Sequence, residues 1–267
     1  MAFRLVIVGA GRLGGALAEG LLAGGYPPGD LALVQRNATT RAALAARCPD
    51  VAVVATFEEA PVGPDTGVVL AVKPDYAESV ARELGTYGVT RLLSVVTGLS
   101  TARLEACFPG PVAVIRAMPN TPILVRKGVS AIAGGAHATK ADLAWAESVL
   151  GSVGTVVRVT ERQLEAVTGL SGAMPAYLYL VVEALIEAGV HQGLSRDVAR
   201  ELVVGSFEGS ALLLSTTGES PEELRAHVTS PGGVTAAGLR VLEGRAVRAA
   251  FLDAVAAAAE RGRQLGR

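Results

Sequence analysis

Two cysteines are all that the 267 residues contain. Cys48 and Cys107 are too few and too far apart for a disulfide framework, and they lack the close spacing of a zinc site. The three histidines, His137, His191 and His227, are scattered, and no pair shares a metal-ligand spacing. No metal site is expected. There is no block of basic residues, and 24 Lys and Arg face 25 Asp and Glu for a net charge of −1, so no nucleic-acid partner is expected. No uninterrupted apolar run approaches the ~20 residues that cross a bilayer, so no membrane partner is expected either. The first apolar run is already strand-sized, so no secretory leader is expected. With so little cysteine, the expected setting is a reducing cytoplasm. What remains is apolar: half the residues are hydrophobic and the mean hydropathy is +0.42, enough for a sizeable core in one large domain or two smaller ones.

The first strand-like run, Leu5-Val6-Ile7-Val8, leads straight into Gly9-Ala10-Gly11-Arg12-Leu13-Gly14 and then into an amphipathic helical pattern through Ala16, Leu17, Leu21 and Leu22. A G-x-G-x-x-G alone is weak. Between a strand and a helix it is the dinucleotide-binding fingerprint. Gly9 permits the tight turn, Gly11 lets a pyrophosphate reach the backbone, and Gly14 lets helix and strand pack closely. An acid at the end of the next strand would mark NAD(H). The run Leu31-Ala32-Leu33-Val34 ends instead in Gln35-Arg36-Asn37. Arg36 can pair with a 2′-phosphate and Asn37 can donate to it, which favours NADPH, with NADH as the lesser option.

Strand-sized apolar runs at 51–54, 67–72, 92–96, 112–116, 129–133 and 155–159 alternate with helical patterns. Nearly continuous Val, Leu and Ile suit strands buried on both faces. The expected fold class is α/β: a Rossmann-type, doubly wound, mostly parallel sheet over residues 1–160, with two extra strands at its far edge. After Thr160 the patterns are helical, at 161–170, 174–192, 195–216, 221–229, 233–243 and 246–264, which makes residues 161–267 an all-helical second domain. Residues 174–192 are apolar on nearly every side and should be buried, with a second subunit as the source of burial.

Ser230-Pro231-Gly232-Gly233-Val234-Thr235 opens a helix. Proline suits a first helical turn, adjacent glycines admit a ligand to the backbone, and free N–H groups backed by the helix dipole bind a small anion such as a carboxylate. Thr235 sets one hydroxyl beside that site. Ala71-Val72-Lys73-Pro74 ends the fourth strand, where open parallel sheets bind ligands: Lys73 can reach a cofactor and Pro74 starts a helix. Met118-Pro119-Asn120-Thr121-Pro122 follows another strand at the same edge, and Asn120 suits a carboxamide such as that of nicotinamide. Val167-Thr168-Gly169-Leu170-Ser171-Gly172 reads as a small-residue link between helices.

Together these motifs resemble the pyrroline-5-carboxylate reductase family from about residue 4 to the C-terminal helix. The glycine motif is common to many dehydrogenases. The specific signals are residues 167–172 with Pro175-Ala176-Tyr177, followed by residues 230–235. The resemblance implies a Rossmann domain, a helical domain interlocked with a second subunit in a homodimer, and larger rings of dimers. It implies that Gly9, Ala10, Gly11, Arg12, Leu13, Arg36, Ala71, Val72, Lys73 and Pro74 hold the cofactor, that Asn120 lies near the nicotinamide, and that Gly233, Val234 and Thr235 bind the small-molecule substrate. Two departures stand out: Met174 replaces a usual glycine, and Val95-Val96-Thr97-Gly98 replaces a stretch of smaller residues.

Imine reduction explains a further absence. A protonated C=N needs hydride at carbon and no side-chain acid, because the product amine keeps the proton already present. A hydroxyacid dehydrogenase needs a Lys or His for the alcohol proton. None lies in residues 230–235, and residues 160–197 contain no lysine. The expected chemistry is reduction of 1-pyrroline-5-carboxylate to proline. Ser230, Gly232, Gly233 and Val234 would frame the carboxylate, and Thr235 would hydrogen-bond the ring nitrogen. The competing expectations are a reductase of a related cyclic imine and a non-catalytic NADP-binding regulator.

Overall fold

The structure is a computed structural model that describes residues 2–63 and 65–265. Eight strands form one sheet: β1 (Leu5–Val8), β2 (Leu31–Val34), β3 (Ala52–Val54), β4 (Gly67–Leu70), β5 (Arg91–Ser94), β6 (Ala113–Pro119), β7 (Gly128–Gly134) and β8 (Gly154–Arg158). Their order is β3-β2-β1-β4-β5-β6-β7-β8, all parallel except for the antiparallel β6–β7 pair. The first six strands are thus the doubly wound set, and β7 and β8 are the two extra strands at one edge. The order reverses at β1, so the crevice beyond the carboxyl ends of β1, β2 and β4 is the natural binding place.

The strands alternate between two cores, as a period of two demands. Leu5, Ile7, Leu31, Leu33, Val69, Leu93 and Ile115 pack under α1 (Arg12–Ala23), α2 (Ala38–Arg47) and α5 (Lys140–Gly151). Val6, Val8, Ala32, Val34, Val68, Leu70, Leu92 and Val114 pack under α3 (Pro74–Thr86) and α4 (Thr101–Glu105). Covering both faces explains why the strands read as unbroken apolar runs.

Two buried polar groups fix the far edge. Arg116, on β6 and only 6% exposed, is held by Glu165 at 3.1 Å and Glu161 at 3.5 Å. Glu161 in turn accepts hydrogen bonds at 2.7 Å from the Thr101 N–H and hydroxyl. A guanidinium out of water must be paired, so the sheet and the start of the helical segment are tied through it. Asp142, at the start of α5, accepts from Arg91 Nε at 2.7 Å and from the N–H and hydroxyl of Thr139 at 2.9 and 2.6 Å.

The chain divides into two compact units, Met1–Ala173 with Ala256–Arg267, and Met174–Val255. The turn Glu161–Gln163 and the short helix α6 (Leu164–Val167) therefore stay with the sheet, where Leu164 is buried against Ala131 and Ala133. The stretch expected as a link is instead a π-helical turn, Thr168–Gly172, which continues α6. Its small residues make that crowded winding possible: a side chain on Gly172 would meet Met118 at 2.8 Å.

The second unit contains α7 (Met174–His191), α8 (Arg196–Thr216), α9 (Pro221–His227), α10 (Val234–Gly244) and the first part of α11 (Val247–Leu265). Among its described residues only Pro175 and Ala199 are buried. The expected burial of the apolar helix is not met within one chain: Leu178, Tyr179, Leu180 and Leu185 of α7 are 43–66% exposed. The helical run Glu161–His191 is long and apolar enough, by length and composition, to cross a membrane. Helical runs, unlike uninterrupted apolar runs, tolerate scattered charges such as Glu183 and Glu187.

Burial pushes the Asp142 carboxyl up, but the hydrogen bonds from Thr139 and Arg91 outweigh it and hold the group below the ordinary value of 3.8. A depressed carboxyl stabilises the fold above its unfolded value and loses that contribution as pH falls through its folded value. Asp142→Asn should cost about 1–3 kcal/mol near neutrality. In urea melts at stepped pH, the gap from wild type should stay constant above about pH 5 and close below about pH 3.

Candidate dinucleotide cleft and substrate turn

Beyond the ends of β1, β2 and β4 lies a cavity of ≈ 550 Å³, walled by Gly9 and Gly11, by Gln35, Arg36 and Asn37, and by Ala71, Val72 and Lys73. Gly9 makes it possible. It adopts φ +86°, and a Cβ there would stand 2.7 Å from both the Val72 backbone N and its Cγ1. Only glycine turns the chain there without collision. Gly14 fits against the Gly9 carbonyl and Ile7, where a Cβ would come to 3.1 Å, so α1 lies close on β1. Gly11 differs, because a Cβ there would meet nothing nearer than 4.0 Å. Its missing side chain leaves open space at the head of α1.

That helix head is unfilled by the protein. Gly11 is the N-cap, no side chain caps it, and the first turn holds no acid. The N-terminal N–H groups of Arg12 and Leu13 therefore suit a pyrophosphate, with the helix dipole behind them. Ala10 is fully buried below the turn, its N–H directed at the Val34 carbonyl at 3.4 Å. Lys73 is the N-cap of α3 and Pro74 its first residue, which brings the lysine to the rim. Phe57, Val34, Val80 and Leu84 form an apolar wall suited to a flat base.

The β2 end is braced more heavily than the sequence suggests. Arg41 Nη1 donates to the carbonyls of Gln35 and Arg36 at 3.0 and 3.1 Å. Asn37 caps α2, its Oδ1 accepting from the Thr40 N–H at 2.9 Å, which leaves its amide N–H groups as donors. Arg36 is 71% exposed at the rim, and its Nη2 donates to Glu83 Oε2 at 2.9 Å. Glu83, Arg41 and Gln35 were not among the expected site residues. Arg41 was findable, in the first turn of the helix that follows the strand. Glu83 lies 47 residues from Arg36, and no local signal marks it.

Asn120 does not line the cavity. Its Oδ1 accepts from the Val129 N–H at 2.8 Å and its Nδ2 donates to the Ser171 carbonyl at 3.4 Å, so it latches the end of β6 to β7 and to the π-helical turn. That geometry commits its carboxamide oxygen within the protein. Val95 and Val96 are buried after β5, and Met174 is half-buried at the start of α7.

The expected substrate motif, residues 230–235, lies in the second unit. Gly233 N–H donates to the Ser230 carbonyl at 3.0 Å, closing a turn with Pro231 second and Gly232, at φ +72°, third. That is the arrangement of a type II turn. The Gly233 N–H is thus spent on the turn, while Gly233 itself is the N-cap of α10 without a side-chain cap. The helix's first backbone bond joins the Ala237 N–H to the Gly233 carbonyl. The open donors are then those of Val234, Thr235 and Ala236, with the Thr235 hydroxyl alongside. Val234 is 91% exposed. Among the described residues no group of three His, Cys, Asp or Glu side chains has metal-site geometry. Burial pushes the thiols of Cys48 and Cys107 up, away from reactivity.

A cleft of this kind at the switch point of a doubly wound sheet, followed by a helical unit, defines a nicotinamide-type oxidoreductase with an appended helical domain. Comparison with known proteins sharpens the class. A family described as "NADP oxidoreductase coenzyme F420-dependent" matches residues 4–97, and one described as "Pyrroline-5-carboxylate reductase dimerisation" matches residues 161–265. A pyrroline-5-carboxylate reductase of Corynebacterium melassecola is 39% identical, with 98% of each chain covered, and one of Arabidopsis thaliana is 37% identical, covering 98% of this chain and 95% of its own. The solved reductase of Coxiella burnetii is 32% identical with a TM-score of 0.93 over 100% of both chains. That of Plasmodium falciparum, solved with NADP bound, is 29% identical with a TM-score of 0.85 over 99% of this chain and 98% of its own. The chain belongs to the pyrroline-5-carboxylate reductase family.

The two glycines of the loop should separate cleanly. Gly9→Ala should lose about 2–4 kcal/mol of unfolding free energy through strain and collision. Gly11→Ala, pointing into open space, should stay within about 1 kcal/mol of wild type. Denaturant melts of both variants check this.

Proposed function

We infer that the chain reduces 1-pyrroline-5-carboxylate to L-proline, the last step of proline biosynthesis, with NADPH as the hydride donor. One observation carries this reading: the chain aligns over 98% of its length, at 39% identity, with a reductase of that name. Its own residues support the cofactor. The open space at Gly11, the uncapped α1 head, Lys73 and Arg36 offer donors and cations at the places where a phosphorylated dinucleotide carries charge. When bound, NADPH supplies the hydride.

The protein's part is to bind and to orient. The open N–H groups of Val234, Thr235 and Ala236 take the substrate carboxylate at the dipole end of α10. The Thr235 hydroxyl hydrogen-bonds the ring nitrogen and fixes which face of the ring is presented. The substrate nitrogen arrives protonated, hydride adds to carbon, and the C=N π pair becomes the lone pair of the product amine. No protein acid is consumed, so the enzyme works by positioning. Two free cysteines suit work in the reducing cytoplasm.

The active form in this reading is a homodimer made through the helical unit. Support comes from the dimerisation family matched at residues 161–265 and from a unit with almost no core of its own. Dimers closing into a larger ring belong to the same proposal, as does burial of the apolar α7 by a partner rather than by lipid.

The direct test is NADPH oxidation by purified protein with the five-membered imine, beside NADH and six-membered-imine controls. Turnover should be fastest with the five-membered imine and NADPH, and absence of turnover refutes the reading. Thr235→Ala should lower kcat/KM by about 10- to 100-fold, with Thr235→Ser restoring most of it. Full activity of the alanine variant would remove Thr235 from the mechanism. Leu180→Glu should shift the protein from dimer toward monomer in light scattering and lower its thermal midpoint.

A further inference from the structure

The cleft rim carries a carboxylate that no local sequence signal at the β2 end announces. Glu83, in the last turns of α3, lines the same cavity as Arg36 and accepts from its Nη2 at 2.9 Å. The pair stands at a solvent-exposed edge, with side-chain exposures of 71% for Arg36 and 37% for Glu83. A bare ion pair of that kind adds little stability. Its consequence is for whatever docks at the rim. Dinucleotide sites that take an unphosphorylated ribose use an acid to accept its 2′-hydroxyl, and sites for the phosphorylated ribose use a cation. Here both groups face one opening, the cation from β2 and the acid from α3.

We propose that Glu83 is a specificity-determining residue for the dinucleotide, moderating the preference for a 2′-phosphate that Arg36 creates. The inference rests on the NADPH reading given above. A 2′-phosphate carries about 1.5–2 negative charges near neutral pH. Seated on the Arg36 guanidinium, it stands a few ångströms from the Glu83 carboxylate that accepts from Nη2 of the same group, and like charges so close repel. A 2′-hydroxyl feels no such repulsion and gains an acceptor. Glu83 therefore costs the phosphorylated cofactor affinity and lends it to the unphosphorylated one. The sign is opposite to that of a residue that merely holds Arg36 in place.

The test is calorimetric binding of 2′,5′-ADP and 5′-AMP, and of NADP⁺ and NAD⁺, to full-length wild type, Glu83→Gln and Arg36→Gln. In Glu83→Gln the ratio of affinities should move toward the 2′-phosphorylated ligands by about 5- to 20-fold, and the shift should shrink in high salt. In Arg36→Gln it should move the other way. An unchanged or reversed ratio in Glu83→Gln, with Arg36→Gln behaving as stated, overturns the role of Glu83 and leaves the NADPH reading standing. An unchanged ratio in Arg36→Gln overturns the placement of the 2′-phosphate at Arg36, and the inference with it. Glu83 is on the surface of α3, so its amide variant is expected to fold, and far-ultraviolet dichroism checks that it does.

Discussion

The site depends on one close approach, that of the Gly9 backbone to the start of the segment after β4. With a Cβ the chain would collide with Val72, and with φ below zero it could not turn from β1 into α1 at that point. Because it does turn, the α1 N-terminus is aimed across the ends of β1 and β4, and Gly11 is left facing open space. The sheet order then adds the third wall. β2 lies beside β1 on the side away from β4, so Arg36 and Lys73 approach the same cleft from opposite flanks. None of these residues would meet without the reversal of strand order at β1.

A second constraint governs the other end of the sheet. Arg116 is buried, and a buried guanidinium tolerates only an arrangement that keeps its carboxylates in place. Glu161 and Glu165 are therefore held to β6, and Glu161 is held again by Thr101 of α4. Asn120 performs the same service with neutral groups, joining β6 to β7 and to the carbonyl of Ser171. The segment between the last strand and α7 is thereby fixed to the sheet by charge and amide hydrogen bonds, in addition to the burial of Leu164.

What was legible in the sequence follows from what is local. The central strands β1, β2 and β4 showed as apolar runs because both their faces are covered, and the glycine motif showed because turn, strand and helix are contiguous. The cation at the β2 end showed for the same reason. Glu83 did not, because it reaches Arg36 through tertiary folding from another helix. The partners of Asn120 did not either: its residue type suggested a carboxamide ligand, while the structure satisfies most of it internally. The π-helical turn was read as a link because glycine and serine signal interruption, whereas here their small size permits a tighter winding against Met118. Within residues 230–235 the turn type was implicit in Pro-Gly-Gly, but which N–H closes it was visible only in the bonding.

The two units differ in how much of themselves they can stabilise. The sheet unit buries a full apolar layer on each face and builds its cleft from its own residues. The helical unit keeps two buried residues and exposes leucines along α7 and α8. Hydrophobic burial is the main favourable term of folding, so a unit with so little of it has the most to gain from association. The 230–235 turn belongs to that unit. In the substrate reading proposed for it, its donors serve only if α10 holds its first turn at a fixed angle, since positioning is the protein's part in that reading. In that reading, subunit association and substrate recognition are coupled through the stability of one unit, whereas dinucleotide binding draws on a unit that already carries its own core.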